Sequence, residues 1–123
     1  MISVAAFAQQ GSPRLSSIGY PSVAAALEAL KAKSDIKTSV QAGWTVVEDG
    51  MTLWSFTPPG HPAHPAAIKR TLVEKDGAWH VEMNALCQAD KTACDKLMAE
   101  FQALNEKMRE SIERSHRRTP PGN

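Results

Sequence analysis

The sequence predicts an α+β domain: an N-terminal helix, a four-stranded antiparallel β-meander and a long C-terminal helix. Three observations carry this expectation. Residues 44–57 and 68–86 each read as two short β-type runs around an Asp-Gly pair, Asp49-Gly50 and Asp76-Gly77, and that dipeptide supplies the positive φ a tight hairpin needs. On either side of this block, apolar residues recur at helical spacing. The chain has 123 residues, 42% of them apolar, which suits one domain with its own core.

Residues 9–20 are rich in Gly, Ser and Gln and hold Pro13, the composition of a flexible lead-in. A helix then begins at Pro21, whose fixed φ suits a first turn, with Ser22 as the alternative cap. Val23, Leu27 and Leu30 form its apolar stripe, and it should end near Ser34. Such a helix is too short to stand alone, so the stripe must lie on the sheet. Ile36 to Val40 reads as a short edge strand before Gly43 interrupts the pattern.

The first firm strand puts Trp44, Val46 and Glu48 on one face and Thr45 and Val47 on the other. In the next, Leu53, Trp54 and Phe56 occupy both faces, the pattern of a strand that is central or covered twice. Thr57 to Pro65 has four prolines in nine residues, so it must be an ordered excursion between hairpins. Ile68, Arg70 and Leu72 then alternate with Lys69, Thr71 and Val73, the adjacent Lys69-Arg70 pair suggesting an edge. In the last strand Trp79, Val81, Met83 and Ala85 face the core, opposite His80, Glu82 and Asn84.

From Asp90 to about Ser115 the period becomes helical, with Ala93, Leu97, Phe101, Leu104, Met108 and Ile112 on one stripe. Asp90 is placed to cap this helix. At about 39 Å it exceeds the width of a small sheet, so its last turns should project. Met108 and Ile112 exposed there would offer a second copy a surface for homodimerisation. The expected assembly has both helices sealing the aromatic side of the sheet and leaves the proline-rich connection free.

Charge and hydropathy exclude two classes of function. The net charge is +1, and Arg117-Arg118 is too short a basic run for nucleic acid. No apolar run approaches the roughly 20 residues of a membrane span. Ile2 to Ala8 is apolar and ends Ala6-Phe7-Ala8 before Gln9, which fits signal-peptidase cleavage, although the positively charged start of a signal peptide is missing. Residues 1–19 are therefore expected to be a signal-peptide remnant and lead-in, residues 20–116 the domain and residues 117–123 a polar tail. The location implied is periplasmic or secreted. An even cysteine count in a small exported domain favours a Cys87–Cys94 disulfide. The alternatives are two buried thiols or a metal pair, but C-x6-C is no zinc spacing.

Candidate chemistry rests on histidines. His61 and His64 lie three apart in the proline-rich loop, and His80, beside Glu82 on the last strand, would have to join them to make a zinc or copper site. His80, Glu82 and Asn84 are also the one local cluster suited to acid–base work, although alternating polar residues usually mark a wet sheet face. No nucleophile elbow, phosphate loop or H-E-x-x-H is present, so the expectation is a non-enzymatic protein without a cofactor. Trp44, Trp54 and Trp79 read first as core and second as the lining of a ligand groove.

The stretch W-x-F-T-P-P-x-H-P-A-x-P-x-x-x-K-R from Trp54 to Arg70, with the later L-C-x6-C, resembles small uncharacterised exported proteins of Gram-negative bacteria. The resemblance implies an exported α+β domain and carries no activity, cofactor or site residue. The function expected is binding, of an unknown protein or small ligand in the cell envelope, through Trp54, Phe56, His61 and His64. The second expectation is a periplasmic protein that binds a small ligand or metal through His61, His64 and His80.

Overall fold

Ser22, not Pro21, starts the first helix. Its extended backbone and its Oγ, which accepts a hydrogen bond from the Ala25 N–H at 3.0 Å, make it the N-cap. The computed structural model describes residues 18–118. Its elements are α1 (Val23–Lys31), β1 (Lys37–Gln41), β2 (Trp44–Asp49), β3 (Thr52–Phe56), β4 (Ala66–Lys75), β5 (Ala78–Cys87) and α2 (Lys91–Arg118). The α+β class is as expected, but the sheet has five strands, all antiparallel and in sequence order.

The fifth is β1, the short edge strand read at Ile36 to Val40, shifted by one residue and with all five of its residues exposed. It is joined to β2 by Ala42-Gly43, both at positive φ, 52° and 86°. Two positive-φ residues in a two-residue loop are what a right-twisted hairpin requires, yet alanine is seldom asked to supply the first. The β4–β5 loop is Asp76-Gly77, φ 54° and 79°, as the sequence predicts. In the β2–β3 hairpin Asp49 pairs with Thr52, so the loop is Gly50-Met51, one residue later than Asp49-Gly50. Met51 is thereby left 57% exposed at the tip.

Register assigns every strand residue to a face. One row across the sheet is Thr38, Val47, Trp54, Lys69 and Asn84; the neighbouring row on the opposite face is Lys37, Glu48, Leu53, Arg70 and Met83. The helices do not share a face. Val23, Ala26 and Leu30 of α1 pack with Val47, Trp54, Phe56 and Ala67 on one side, while Leu97 and Phe101 of α2 pack with Ala63, Ala66 and Ile68 on the other. This explains why β3 is apolar on both faces: it is covered twice. Each fully buried Leu or Ile contributes about 1.5–3 kcal/mol, so both layers are needed.

The chain joins the core before the expected domain start. Ile18, placed in the lead-in by the sequence, is 1% exposed, and the Tyr20 ring lies 6.0 Å from Trp54. Lys33 Nζ reaches Asp49 at 2.5 Å and ties the end of α1 to β2. The Gln88 side chain accepts a hydrogen bond from the Val23 N–H at 3.0 Å and so joins the start of α1 to the end of β5.

Asp90 caps α2, accepting from the Ala93 N–H at 3.2 Å. Cys87 and Cys94 are joined as a disulfide, with Cα atoms 5.9 Å apart. The helix then runs back along β5, where Asn105 meets Met83. Its 28 residues span about 42 Å against about 33 Å for the 10 residues of β5, so α2 is longer than its strand. It continues to Arg118, two residues into the stretch read as tail. Met108 and Ile112 are half-buried, not exposed, and Leu104, at 48%, is the open apolar residue of the stripe. The cleavage expected after Ala8 and the last five residues of the expected tail lie outside the described residues.

Candidate functional site

The proline-rich loop between β3 and β4 is built around Thr57. Its N–H donates to the Ala66 carbonyl at 3.1 Å, its Oγ1 accepts from the Ala66 N–H at 3.0 Å, and its carbonyl lies 3.1 Å from His64 Nδ1. The His61 and His64 N–H groups close turns onto Pro58 and His61 at 3.0 Å each, and the His64–Pro65 bond is cis. Four prolines remove donors, and the remaining polar groups are met inside the loop. Ala63 is fully buried beneath α2, so the loop is packed onto the domain and is not the free connection expected. Pro59, Gly60, Pro62 and His64 form its exposed crest.

The structure divides the residues singled out in the sequence. Trp54 and Phe56 are each 3% exposed, stacked with centroids 6.0 Å apart in the layer under α1, and serve packing instead of contact. His61 lies on the other side of the sheet, edge-on to Trp44 at 5.3 Å, with Nδ1 accepting from the Ala63 N–H at 2.9 Å. His80 is exposed on β5, opposite Val73. Among the described residues no three His, Cys, Asp or Glu side chains are grouped to hold a metal ion, so His80 does not complete a set with His61 and His64. A cleft of about 250 Å³ involves His80 with Val81, Asn105, Glu106 and Arg109, but Glu82 takes no part in it.

The polar group that stands out instead is Arg70. The Lys69-Arg70 pair suggests an edge strand, but β4 lies between β3 and β5. Arg70 follows Ile68 and precedes Leu72 on the α2 face, so a cation sits between two apolar side chains of the strand. α2 crosses above it. The guanidinium carbon is 5.0 Å from the Phe101 centroid, a cation–π distance. Nη1 donates to Asn105 Oδ1 at 3.4 Å, and Asn105 Nδ2 lies 3.2 Å from Met83 Sδ, which orients the amide.

Among the described residues no carboxylate pairs with Arg70, and its Nε is sealed from solvent with no acceptor. Burial pulls its pKa below the ordinary arginine value. That value is so high that the group stays charged. An unpaired cation held partly out of water is costly unless something neutralises it.

Around Arg70 the face is partly open: α2 reaches Trp44 of β2 through Phe101, but Glu48 and Leu53, farther along β2 and β3, line clefts at the side of the helix. Two adjoining clefts of about 240 and 290 Å³ meet at Glu48, Leu53 and Arg70. The first has Met51, Leu53, Leu72, Val81 and Met108 as its apolar lining, with Glu48, Thr52, Arg70 and Thr71 as its polar residues. The second runs past Val46, Ser55 and Leu104 to Trp44, which is wedged between His61 and Phe101, the latter at 5.8 Å. The proline-rich loop therefore buttresses one end of the groove. Sequence reasoning missed the site, although the pattern Ile68-x-Arg70-x-Leu72 carried its one signal, a charge on the inward side of a strand. No helix among the described residues is long and apolar enough to cross a membrane. Comparison with protein-family models, curated proteins and solved structures found no match to this chain.

Proposed function

We propose that this is a non-enzymatic binding protein of the cell envelope, exported to the periplasm or beyond, which takes a ligand into the groove between α2 and the sheet face beside it. Export is supported by the Cys87–Cys94 disulfide, since such bonds persist in oxidising compartments, and by the apolar run ending Ala6-Phe7-Ala8. The observation that carries the binding reading is Arg70, a half-buried guanidinium with no carboxylate partner among the described residues, at the meeting point of two clefts of which one is lined mainly by aliphatic and thioether side chains. Concave apolar surface with one placed polar group is the usual form of a small-ligand site. Met51 and Leu104, both exposed and both on its rim, supply apolar surface whose exposure a bound ligand would relieve.

The test uses the neutral apolar dye N-phenylnaphthylamine. Saturable binding at one site per chain is expected, weakened about tenfold or more by the double substitution Met51→Asp with Leu104→Asp. Both positions are exposed, so the fold should survive. Absence of saturable binding, or binding unaffected by the pair, refutes the groove as the site.

A second reading, contact with another protein through the loop crest, is favoured by one observation: Pro59, Gly60, Pro62 and His64 are exposed on a loop whose backbone is internally hydrogen-bonded. A rigid exposed loop loses little entropy on binding. Replacing His64 and Pro62 together with alanine should then abolish capture of that protein and leave dye binding intact.

A further inference from the structure

We infer that the occupant of the groove is a medium-chain aliphatic monocarboxylate whose carboxylate sits on Arg70 and whose chain lies along Leu53, Leu72, Val81 and Met108; this rests on the groove being a ligand site. The headgroup follows from charge. Arg70 makes a single long hydrogen bond, to a neutral amide, and its Nη2 has no partner among the described side chains yet is not sealed off. An anion there turns an unpaired cation into a charge-assisted hydrogen bond in surroundings of low dielectric.

The number of charges follows from Glu48. It lies in the same row as Arg70, two strands away, exposed at the rim and paired across the strands with Lys37. A second negative charge on the ligand would face it, which favours a carboxylate over a phosphate monoester dianion. The tail follows from shape. Of the two directions leading from Arg70, the one past Leu72, Val81 and Met108 offers thioether and aliphatic walls, whereas the other ends at Gln41, Ser55 and Trp44. The apolar end holds about 240 Å³, below the roughly 300 Å³ at which drug-sized sites begin, so the chain is of medium length. Met108 adds adaptability, because an unbranched thioether repacks around flexible chains.

The same chemistry, a carboxylate on an apolar body, exists at the C-terminus of an apolar peptide. The experiment therefore measures displacement of N-phenylnaphthylamine from the full chain by four probes: decanoate below its micelle concentration, decanol, decyltrimethylammonium and an N-acetylated trileucine with a free carboxylate. Decanoate is expected to displace the dye at about tenfold lower concentration than decanol, with the cation weakest and the peptide weaker than decanoate. The decanoate-to-decanol ratio should fall to near one in Arg70→Met. It should also fall in Asn105→Asp, which keeps Arg70 but sets a carboxylate beside it, and it should be partly kept in Arg70→Lys.

A dye that never binds overturns the groove itself. A dye that binds, with decanol as good as decanoate or with the ratio unchanged in both Arg70→Met and Asn105→Asp, overturns the monocarboxylate and leaves the groove standing. Preference for the peptide over decanoate overturns the aliphatic chain.

Discussion

Single residues hold this structure at points of conflict between local chemistry and burial. Thr57 is 7% exposed, and its hydroxyl satisfies the Ala66 N–H that no strand partner reaches. Thr57→Val keeps the shape and orphans that donor, so denaturant unfolding should show a loss of about 1–3 kcal/mol, with Thr57→Ser recovering most of it. Arg70 is the opposite case. Its Nε is already unpaired, so Arg70→Met removes a desolvation cost along with the cation–π contact. The unfolding midpoint should stay level or rise by up to about 1 kcal/mol in stability, even though anion binding is lost. Such a variant, stabler and less functional, is the signature of a group retained for its ligand. Ala42 shows a third conflict: its φ of 52° is left-handed, which costs an alanine about 1–2 kcal/mol. Ala42→Asn should therefore stabilise the chain by roughly 1 kcal/mol, measured by the same unfolding curve.

At the scale of elements, the decisive junction is the end of β5. Within a few residues the strand stops, Gln88 caps α1 on one face, Asp90 caps α2 on the other, and Cys87–Cys94 sets the angle at which α2 returns over the sheet. The two cysteines are 7 positions apart in sequence, so the closed loop is short and its entropic contribution is about 2–3 kcal/mol. Replacing both cysteines with serine should lower stability by that amount. It should also weaken dye binding, because the groove is the gap that this angle leaves between α2 and β2. Much of this was legible beforehand: the Asp90 cap, the cysteine pair and the Asp76-Gly77 turn are local chemistry. β1 was less so, since its turn uses Ala42 where Asn or Asp is expected and none of its side chains is buried to give a period.

The whole molecule is a sheet with one helix on each side, and its two apolar layers share β3 and β4. Neither layer can open without exposing the backs of strands that the other needs. Leu30→Ala under α1 and Leu97→Ala under α2, both at 1% exposure, should each cost about 2–5 kcal/mol. In both variants far-ultraviolet circular dichroism and tryptophan fluorescence should give coincident transitions, as a single cooperative unit requires. Separate transitions would show that the layers unfold independently. The asymmetry of coverage also matters for function: α1 closes its face around Trp54 and Phe56, while α2, held toward β5, leaves the groove.

What the sequence determined by itself was everything set within a few residues: the α+β class, the β2 to β5 strands and their alternating faces, the helix caps, and the pairing of Cys87 with Cys94. Tertiary structure alone decided which face each helix covers, and with it the fate of the aromatics and of Arg70. Alternation along a strand sorts side chains into two sets but does not say which set receives α1, which receives α2, or how far across the sheet each helix lies. That choice depends on the return angle at Cys94 and on docking between residues far apart in the chain. It turned Trp54 and Phe56 into core, left His80 apart from His61 and His64, and placed a basic residue from an apparent edge into the floor of a groove.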